Sequence, residues 1–379
     1  MAMNPLATVG MALGQVDTPA LVIDLDAFER NLQRMADFAG RVGVRLRAHA
    51  KTHKSPIIAA RQMALGAVGV CCQKVSEAEV MVEGGIADVL VSNEVAGAAK
   101  LDRLAALAKR AKIGVCADDP GNVAELEAAA ARAGATLDVL VEIDVGGKRC
   151  GAAPGVPAAR LAELVAKAPH LRFAGLQAYH GSAQHVREAG ARRDLIARAV
   201  ASVEETQRAL RAIGLEARIV SGGGTGTYEH EAASRVYNEL QCGSYVFMDA
   251  DYARNRLADG SLFGDYEHAL FVYATVMSLP VPERAIIDAG LKAFAVDSGM
   301  PVPWRLPGAA YHRPSDEHGV LDLANCADRP ARGDKVLLVP GHCDPTVNLH
   351  DWYVGVRGLG TQQAHVECLW PVAARGAVF

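Results

Sequence analysis

Short apolar runs alternate with alanine-rich stretches of helical spacing through the first two thirds of this 379-residue chain. The runs predicted as strands are Leu21–Leu25, Val44–Lys51, Val68–Gln73, Asp88–Asn93, Lys112–Cys116, Leu137–Asp144, Phe173–Tyr179, Arg218–Gly222 and Leu240–Met248. Between them, Asp26–Arg41, Ser76–Gly84, Lys100–Ala111, Pro120–Ala133, Ala159–Ala168 and Arg187–Ile213 carry helical spacing. Such alternation makes parallel strands joined by crossover helices. Nine strands are one more than an eight-stranded barrel needs. The first is the simplest to set aside, joining a sheet formed later in the chain, and Val44–Lys51 then becomes barrel strand one. Beyond about Tyr266 the runs Ala269–Met277, Ala285–Asp288, Lys335–Val339 and Trp352–Val356 lie between Gly and Pro turns, the texture of a smaller all-β domain. The expected fold class is therefore α/β: an N-terminal segment over 1–26, a (β/α)8 barrel over 27–265 and a C-terminal all-β domain over 266–379.

Charge excludes some functions. The formal net charge is −4, and no cluster of lysine and arginine could track a phosphate backbone, so nucleic acid is not an expected partner. No stretch reaches about 18 apolar residues without a charge, so no membrane span is expected. Met1 to Gln15 carry no positive charge and no unbroken apolar run, which gives no support to a signal peptide. The eight cysteines are scattered, with Cys71 and Cys72 adjacent and no Cys-x-x-Cys pair, as in a cytoplasmic enzyme with reduced thiols.

A barrel of this kind carries its chemistry at the C-terminal ends of its strands. Strand one closes on His49-Ala50-Lys51-Thr52-His53, where side-chain alternation puts His49, Lys51 and, if extension continues, His53 on one face. A lysine buried at a strand end is costly unless it is paired or covalently used, and desolvation lowers its pKa toward Schiff-base chemistry. A surface lysine just past the strand is the plain alternative. Strand seven ends in Ser221-Gly222-Gly223-Gly224-Thr225-Gly226, where backbone amides can approach an anion closely and hydroxyls add donors. Gly243-Ser244-Tyr245 in the strand-eight segment adds to that face. A lysine and a phosphate cradle on one face together suggest pyridoxal 5′-phosphate (PLP) held as a Schiff base. His342 and Asp344, at i and i+2 after the run Val336–Pro340, would project to one side of an extended chain as nitrogen and oxygen ligands for Mn²⁺, Mg²⁺ or Zn²⁺. Cys343 would face the other way. Alone, His-x-Asp is also what a hydrogen-bonded pair looks like, and Asp316-Glu317-His318-Gly319 reads equally as support for a metal or as a solvated turn. His180 and His185 follow strand six and are candidate general bases. Arg149 and Gln73 also sit at strand ends, with a salt bridge and a capped loop as their plain readings.

The segments His49–Lys54, Cys71–Glu79, Gln177–Ser182, Gly222–Gly226, Tyr237–Gln241 and His342–Thr346 together resemble the D-threonine aldolase family, whose relatives include β-hydroxyaspartate aldolase. The likeness runs from about Thr18 to the C-terminus. It implies a PLP enzyme with an alanine racemase-like barrel and a C-terminal β-domain, acting on a small-molecule D-3-hydroxy amino acid. By that likeness Lys51 is the Schiff-base lysine, and His342 and Asp344 hold a divalent metal, Mn²⁺ first, with Mg²⁺, Co²⁺ or Zn²⁺ as alternatives. His185 matches the general base best, with His180 second. Arg149 and Tyr179 correspond to residues contacting the cofactor ring, and Gln73 is a further cofactor-binding candidate. Ser221, Gly223, Gly224, Thr225, Gly226, Gly243, Ser244 and Tyr245 fall where the family holds the phosphate. Related D-serine dehydratases favour His-x-Cys at the metal, so Asp344 tilts the resemblance toward aldolase. The implied reaction is cleavage of a D-3-hydroxy-α-amino acid to glycine and an aldehyde by a homodimer. Dehydration on the same scaffold is one alternative, and a non-catalytic PLP-binding protein is another.

Overall fold

The computed structural model describes residues 4–379. Strand β1 (Ala20–Asp24) runs into helix α1 (Leu25–Val42), started by the Asp24 carboxylate, which accepts the amide protons of Asp26 and Ala27 at 3.1 and 3.3 Å. The helix stops at Gly43, whose φ of 72° is the left-handed conformation that glycine adopts without penalty. One face of α1 buries Phe28, Leu32 and Met35, each contributing roughly 1.5–3 kcal/mol of apolar burial.

Eight parallel strands then close into a barrel: β2 (Arg45–His49), β3 (Gly69–Cys72), β4 (Asp88–Glu94), β5 (Lys112–Ala117), β6 (Leu137–Glu142), β7 (Leu171–Gln177), β8 (Ile219–Gly222) and β9 (Glu239–Leu240). The helices between them are α2 (Pro56–Ala64), α3 (Val75–Glu83), α4 (Ala98–Leu107), α5 (Pro120–Ala133), α6 (Val156–Lys167), α7 (Ala189–Ala212) and α8 (Tyr228–Ser234). The strands are buried on both faces, which is why their sequences run apolar without clean alternation. Val70, Val89, Val91, Ile113 and Val139 pack outward against helices, while Cys71, Leu90, Cys116, Leu140 and Ala174 form an inner layer. Deeper in the barrel, Arg47 bridges Asp88 at 2.6 Å and Glu239 at 3.0 Å.

The rest of the chain forms a mostly antiparallel sheet: β10 (Leu270–Val281), β11 (Arg284–Ile287), β12 (Val302–Pro303), β13 (Ala310–Pro314), β14 (Gly319–Asp322), β15 (Lys335–Val339), β16 (Trp352–Arg357) and β17 (His365–Pro371), with the one-turn helix α9 (Cys343–Val347) after β15. Strand β1 lies in this sheet, antiparallel to β10 and parallel to β16. Barrel residues Leu46, Ala48 and Tyr245 and sheet residues Leu270, Val272, Leu338 and Tyr353 belong to one continuous core. The sheet is thereby fixed against the barrel.

The expected barrel and β-rich C-terminal domain are present; the differences are local. Strand β2 stops at His49, so Lys51 sits in a turn, not in a strand. The eighth barrel strand is Glu239–Leu240, and the predicted continuation to Met248 instead coils into a 3₁₀ turn at Ser244–Val246. Gly243 explains the bend, since a Cβ there would lie 3.0 Å from the His49 carbonyl oxygen. Helices α2 and α8 and strands β12, β13, β14 and β17 escape the sequence pattern because they are short or carry charged residues. Asp316–His318 lie in the β13–β14 hairpin, with Glu317 paired to Lys292 in solvent, which makes that motif a turn.

Candidate active site

Lys51 projects from the turn after β2 into a cavity of ≈ 260 Å³ that is also lined by Glu142, Asp144, Arg149, Tyr179 and His185. Its Nζ lies 3.4 Å from Asp344 Oδ2, so the barrel and the sheet domain meet at an ion pair. Burial is the largest single influence and works to lower the Lys51 pKa, but Asp344 and Tyr179 together raise the ammonium above its ordinary value. The sequence argument from desolvation gave the opposite direction, because it did not include the carboxylate across the domain boundary. His49 and His53 do not share a free face with Lys51. His49 Nε2 contacts Gln73 Nε2 at 2.9 Å and Ser92 Oγ at 3.3 Å, whereas His53 Nδ1 accepts from the Ser55 amide at 3.1 Å. Burial, joined for His49 by the Lys51 charge, holds both imidazoles below their ordinary pKa, to about 4 for His53. Lys54 is buried in an ion pair with Glu77 at 2.7 Å and faces the carbonyls of Ala374 and Ala377.

Tyr179 and Arg149 make one wall of the cavity, the guanidinium carbon 5.8 Å from the ring centroid and Nη2 3.9 Å from Glu142. Gln73 donates its backbone amide to Glu77 at 2.9 Å and lies beneath the cavity against His49.

The loops after β8 and β9 are knit together. Thr225 Oγ1 accepts from the Tyr245 amide at 3.0 Å, and the Ser244 carbonyl accepts from Met248 at 2.7 Å. Gly223 has φ 76°, and a Cβ on Gly224 would come within 2.5 Å of Gln184 Oε1. A Cβ on Gly243 would lie 2.6 Å from Thr52 Oγ1, so these loops abut the segment carrying Lys51. The Thr52 hydroxyl is buried without a hydrogen-bond partner among the described residues. Not every named donor faces this space. Ser221 donates to Glu239 at 2.9 Å, Gly226 gives its amide to Gln184 at 3.0 Å, and the Tyr245 phenol accepts from Gln62 at 3.0 Å in the core. A cavity-facing lysine, an aromatic wall bearing a guanidinium, and an adjoining glycine loop beside an unpartnered buried hydroxyl fit PLP.

His342 is the extended residue just before α9 and Asp344 lies in the first turn of that helix, so the pair straddles the helix start where a wholly extended chain was expected. They still converge, His342 Nε2 lying 3.9 Å from Asp344 Oδ2. Asp344 Oδ1 is buried and unpartnered among the described residues, which fits a divalent cation. Burial opposes both charges, yet Lys51 and His342 pull the Asp344 carboxyl down to about 2, and Asp249 and Asp344 carry the His342 imidazole up to about 9. Cys343 points away, its buried thiol 3.5 Å from the Met248 carbonyl. His185 places Nδ1 2.5 Å from Asp251, whereas His180 is 3% exposed and contacts Ser182 Oγ at 3.4 Å. Asp249 and Asp251 were missed by sequence reasoning. Their signal was an alternating acid pair directly after the expected end of strand eight.

Two family models match: "Alanine racemase, N-terminal domain" over residues 23–251 and "Putative serine dehydratase domain" over residues 269–356. Fold and matches together define an alanine racemase-like barrel enzyme. A 3-hydroxy-D-aspartate aldolase of Paracoccus denitrificans (strain Pd 1222) is 50% identical over 98% of this chain and 95% of its own length. A D-threonine aldolase of an Arthrobacter species is 48% identical over 99% of this chain and 97% of its own. The crystal structure of a D-threonine aldolase from Filomicrobium marinum superposes with a TM-score of 0.95 at 57% identity, covering 99% of this chain and 100% of that one. Named dehydratases are more distant, at 30% and 22% identity. The chain belongs to the D-threonine aldolase and 3-hydroxy-D-aspartate aldolase family, which makes it a lyase and implies PLP.

Proposed function

We propose that this protein cleaves the Cα–Cβ bond of D-3-hydroxy-α-amino acids, such as D-threonine or D-3-hydroxyaspartate, to glycine and an aldehyde. The observation that carries this reading is that Lys51 lines one cavity with His185 while its Nζ pairs with Asp344 at 3.4 Å. Lys51 is the covalent anchor for PLP. Gly223, Gly224, Thr225, Gly243 and Ser244 would hold its phosphate, and Tyr179 and Arg149 would hold its ring. His342 Nε2 and Asp344 hold a divalent metal, for which Mn²⁺ is the first choice. When bound, PLP supplies a sink for the electron pair released at Cα, and the cation supplies positive charge for the β-oxygen.

The remaining work belongs to side chains. His185 takes the proton from the β-hydroxyl, a role that general-base geometry makes worth about 10²- to 10⁴-fold. Lys51, once no longer engaged by the cofactor and carrying a proton as an ammonium, would give that proton to Cα to yield glycine and be left as the neutral amine. Arg149 and Glu142 fix the polarity of the opposite wall. Eight free thiols, six of them buried, support a reducing compartment such as the cytoplasm. Among the described residues no helix is long and apolar enough to cross a membrane. Met277, Leu279 and Val281, exposed at 45%, 38% and 42% near one end of β10, support a homodimer, which sedimentation would test.

Incubation of the metal-loaded holoenzyme with D-threonine and with D-3-hydroxyaspartate tests the reaction. Acetaldehyde or glyoxylate formed in step with glycine supports it. A keto acid with ammonia and no glycine shows dehydration instead.

A further inference from the structure

Asp249-Ala250-Asp251 crosses from the barrel to the sheet domain just after the 3₁₀ turn at Ser244–Val246, and each of its carboxylates holds a different histidine. Asp249 is fully buried; Oδ2 lies 3.0 Å from His342 Nδ1 and accepts the Cys343 amide at 3.1 Å, while Oδ1 accepts the Tyr252 amide at 3.0 Å. Asp251 is 2% exposed; Oδ2 lies 2.5 Å from His185 Nδ1, and Oδ1 is gripped by Arg187 and by Arg254 at 2.6 Å. The backbone between them is tied to the loop that carries the metal ligands. Ala250 donates to the Pro340 carbonyl at 3.0 Å and Asp251 to the Gly341 carbonyl at 3.1 Å, immediately before His342.

An ionised carboxylate can only accept a hydrogen bond, so a neutral imidazole facing it carries its proton on Nδ1 and its lone pair on Nε2. Both histidines are in this arrangement. His342 directs Nε2 toward Asp344, and His185 lines the cavity. We propose that Asp249 and Asp251 form one positioning element, which fixes the Nδ1–H tautomer of both histidines and sets the register between metal ligand and general base. This rests on the reading of His342 as ligand and His185 as base. The two acids are positioning residues and touch neither substrate nor cofactor. The two arginines suit Asp251 to its task, because they keep it ionised while His185 gains and loses a proton.

Asparagine substitutions separate this role from simple bracing between domains. In Asp251→Asn the amide oxygen serves Arg187 and Arg254, leaving the NH₂ group to face His185 and drive the ring proton to Nε2. In Asp249→Asn either amide orientation turns an NH₂ group toward a backbone N–H, of Tyr252 or of Cys343. The measurement is ring-nitrogen NMR on histidine-labelled holoenzyme, with His185 assigned from a His185→Gln sample, together with Mn²⁺ titration and steady-state kinetics.

Wild type should show neutral His185 protonated at Nδ1. Asp251→Asn should move that proton to Nε2 and lower kcat by about 10²- to 10⁴-fold, with Mn²⁺ affinity unchanged. Asp249→Asn should weaken Mn²⁺ binding by roughly 10- to 100-fold, with the His185 tautomer unchanged. Neutral wild-type His185 protonated at Nε2 would overturn the proposal, and this reading needs no variant to fold. So would an Asp251→Asn enzyme that loses activity while keeping the wild-type tautomer, or one whose Mn²⁺ affinity falls as far as that of Asp249→Asn. Retention of full kcat by His185→Gln would refute the base assignment, while the tautomer and Mn²⁺ readings would still judge the positioning element.

Discussion

The two sides of the candidate site around Lys51 are held by different forces. The barrel side, from Lys51 through the loops after β8 and β9, is fixed by strand ends, glycine contacts and backbone hydrogen bonds such as that from Tyr245 to Thr225. The sheet-domain side is electrostatic: Lys51, Asp344, His342 and Asp249 form a chain of alternating charge with spacings of 3.4, 3.9 and 3.0 Å. Backbone contacts are indifferent to protonation and to metal. A charge chain is not, so the ligand-holding side can adjust to its cation while the barrel side stays where strand geometry puts it.

The hardest test of this contrast is Lys51→Ala. It should reduce cleavage to background and abolish the visible absorbance of the holoenzyme, while the protein still binds Mn²⁺ through the untouched sheet-domain side. Borohydride reduction of wild type should leave the cofactor mass on the Lys51 peptide. Recovery of that mass on Lys54 or Lys74 would remove the barrel side from its assigned role.

Asp344→Ala attacks the other side. It deletes a metal ligand and the partner of Lys51, so Mn²⁺ binding and aldolase activity should fall together while the visible absorbance persists. Chelation of wild type should do the same. An Asp344→Ala enzyme that binds Mn²⁺ as tightly as wild type would show that the charge chain is an ion-pair network and nothing more.

His185→Ala should cost about 10²- to 10⁴-fold in kcat, the usual worth of a general base, with cofactor retained. His180→Ala should cost less in kcat and more in PLP affinity, because His180 is buried beside Tyr179 and away from the cavity. Measured kcat and PLP affinity for both variants decide between them, and the reverse pattern would transfer the role to His180.

How legible each side was in the sequence follows the same division. The barrel came from periodicity, and Lys51 and Arg149 came from their places near strand ends, because those features are local; Tyr179 came from the family resemblance. Ser221, Gly226 and Tyr245 were placed on the phosphate by position and by the family resemblance, and the structure shows donors of each engaged within the protein. His342 and Asp344 were found through an extended-chain argument, although only His342 is extended and Asp344 lies in a helical turn. Their convergence survives because α9 begins between them. Asp249 lies 93 residues from its histidine and Asp251 lies 66 from its own, so no local pattern joins either pair.

Glu231 is an exception on the barrel side and gives the smallest expected effect. It lies directly beneath the glycine loop, where a Cβ on Gly223 would be 3.3 Å from its carboxyl carbon. Thr227 donates to Oε1 at 2.7 Å, and Oε2 is unpartnered among the described residues. Burial is the main cause that pushes its pKa from 4.5 up to about 7, against the opposing hydrogen bond from Thr227. Between those values the folded protein keeps a proton that the unfolded chain releases, so stability falls as pH rises through this window and levels off above it. The gap corresponds to about 3 kcal/mol at most. Glu231→Gln keeps the shape and the Thr227 bond but cannot ionise. Wild type and variant should therefore unfold at similar denaturant concentration near pH 4.5, with the variant gaining up to that amount by pH 8. A difference that stays constant across the range would show that Glu231 does not titrate there, and the barrel side would then hold no pH-sensitive group beneath its glycine loop.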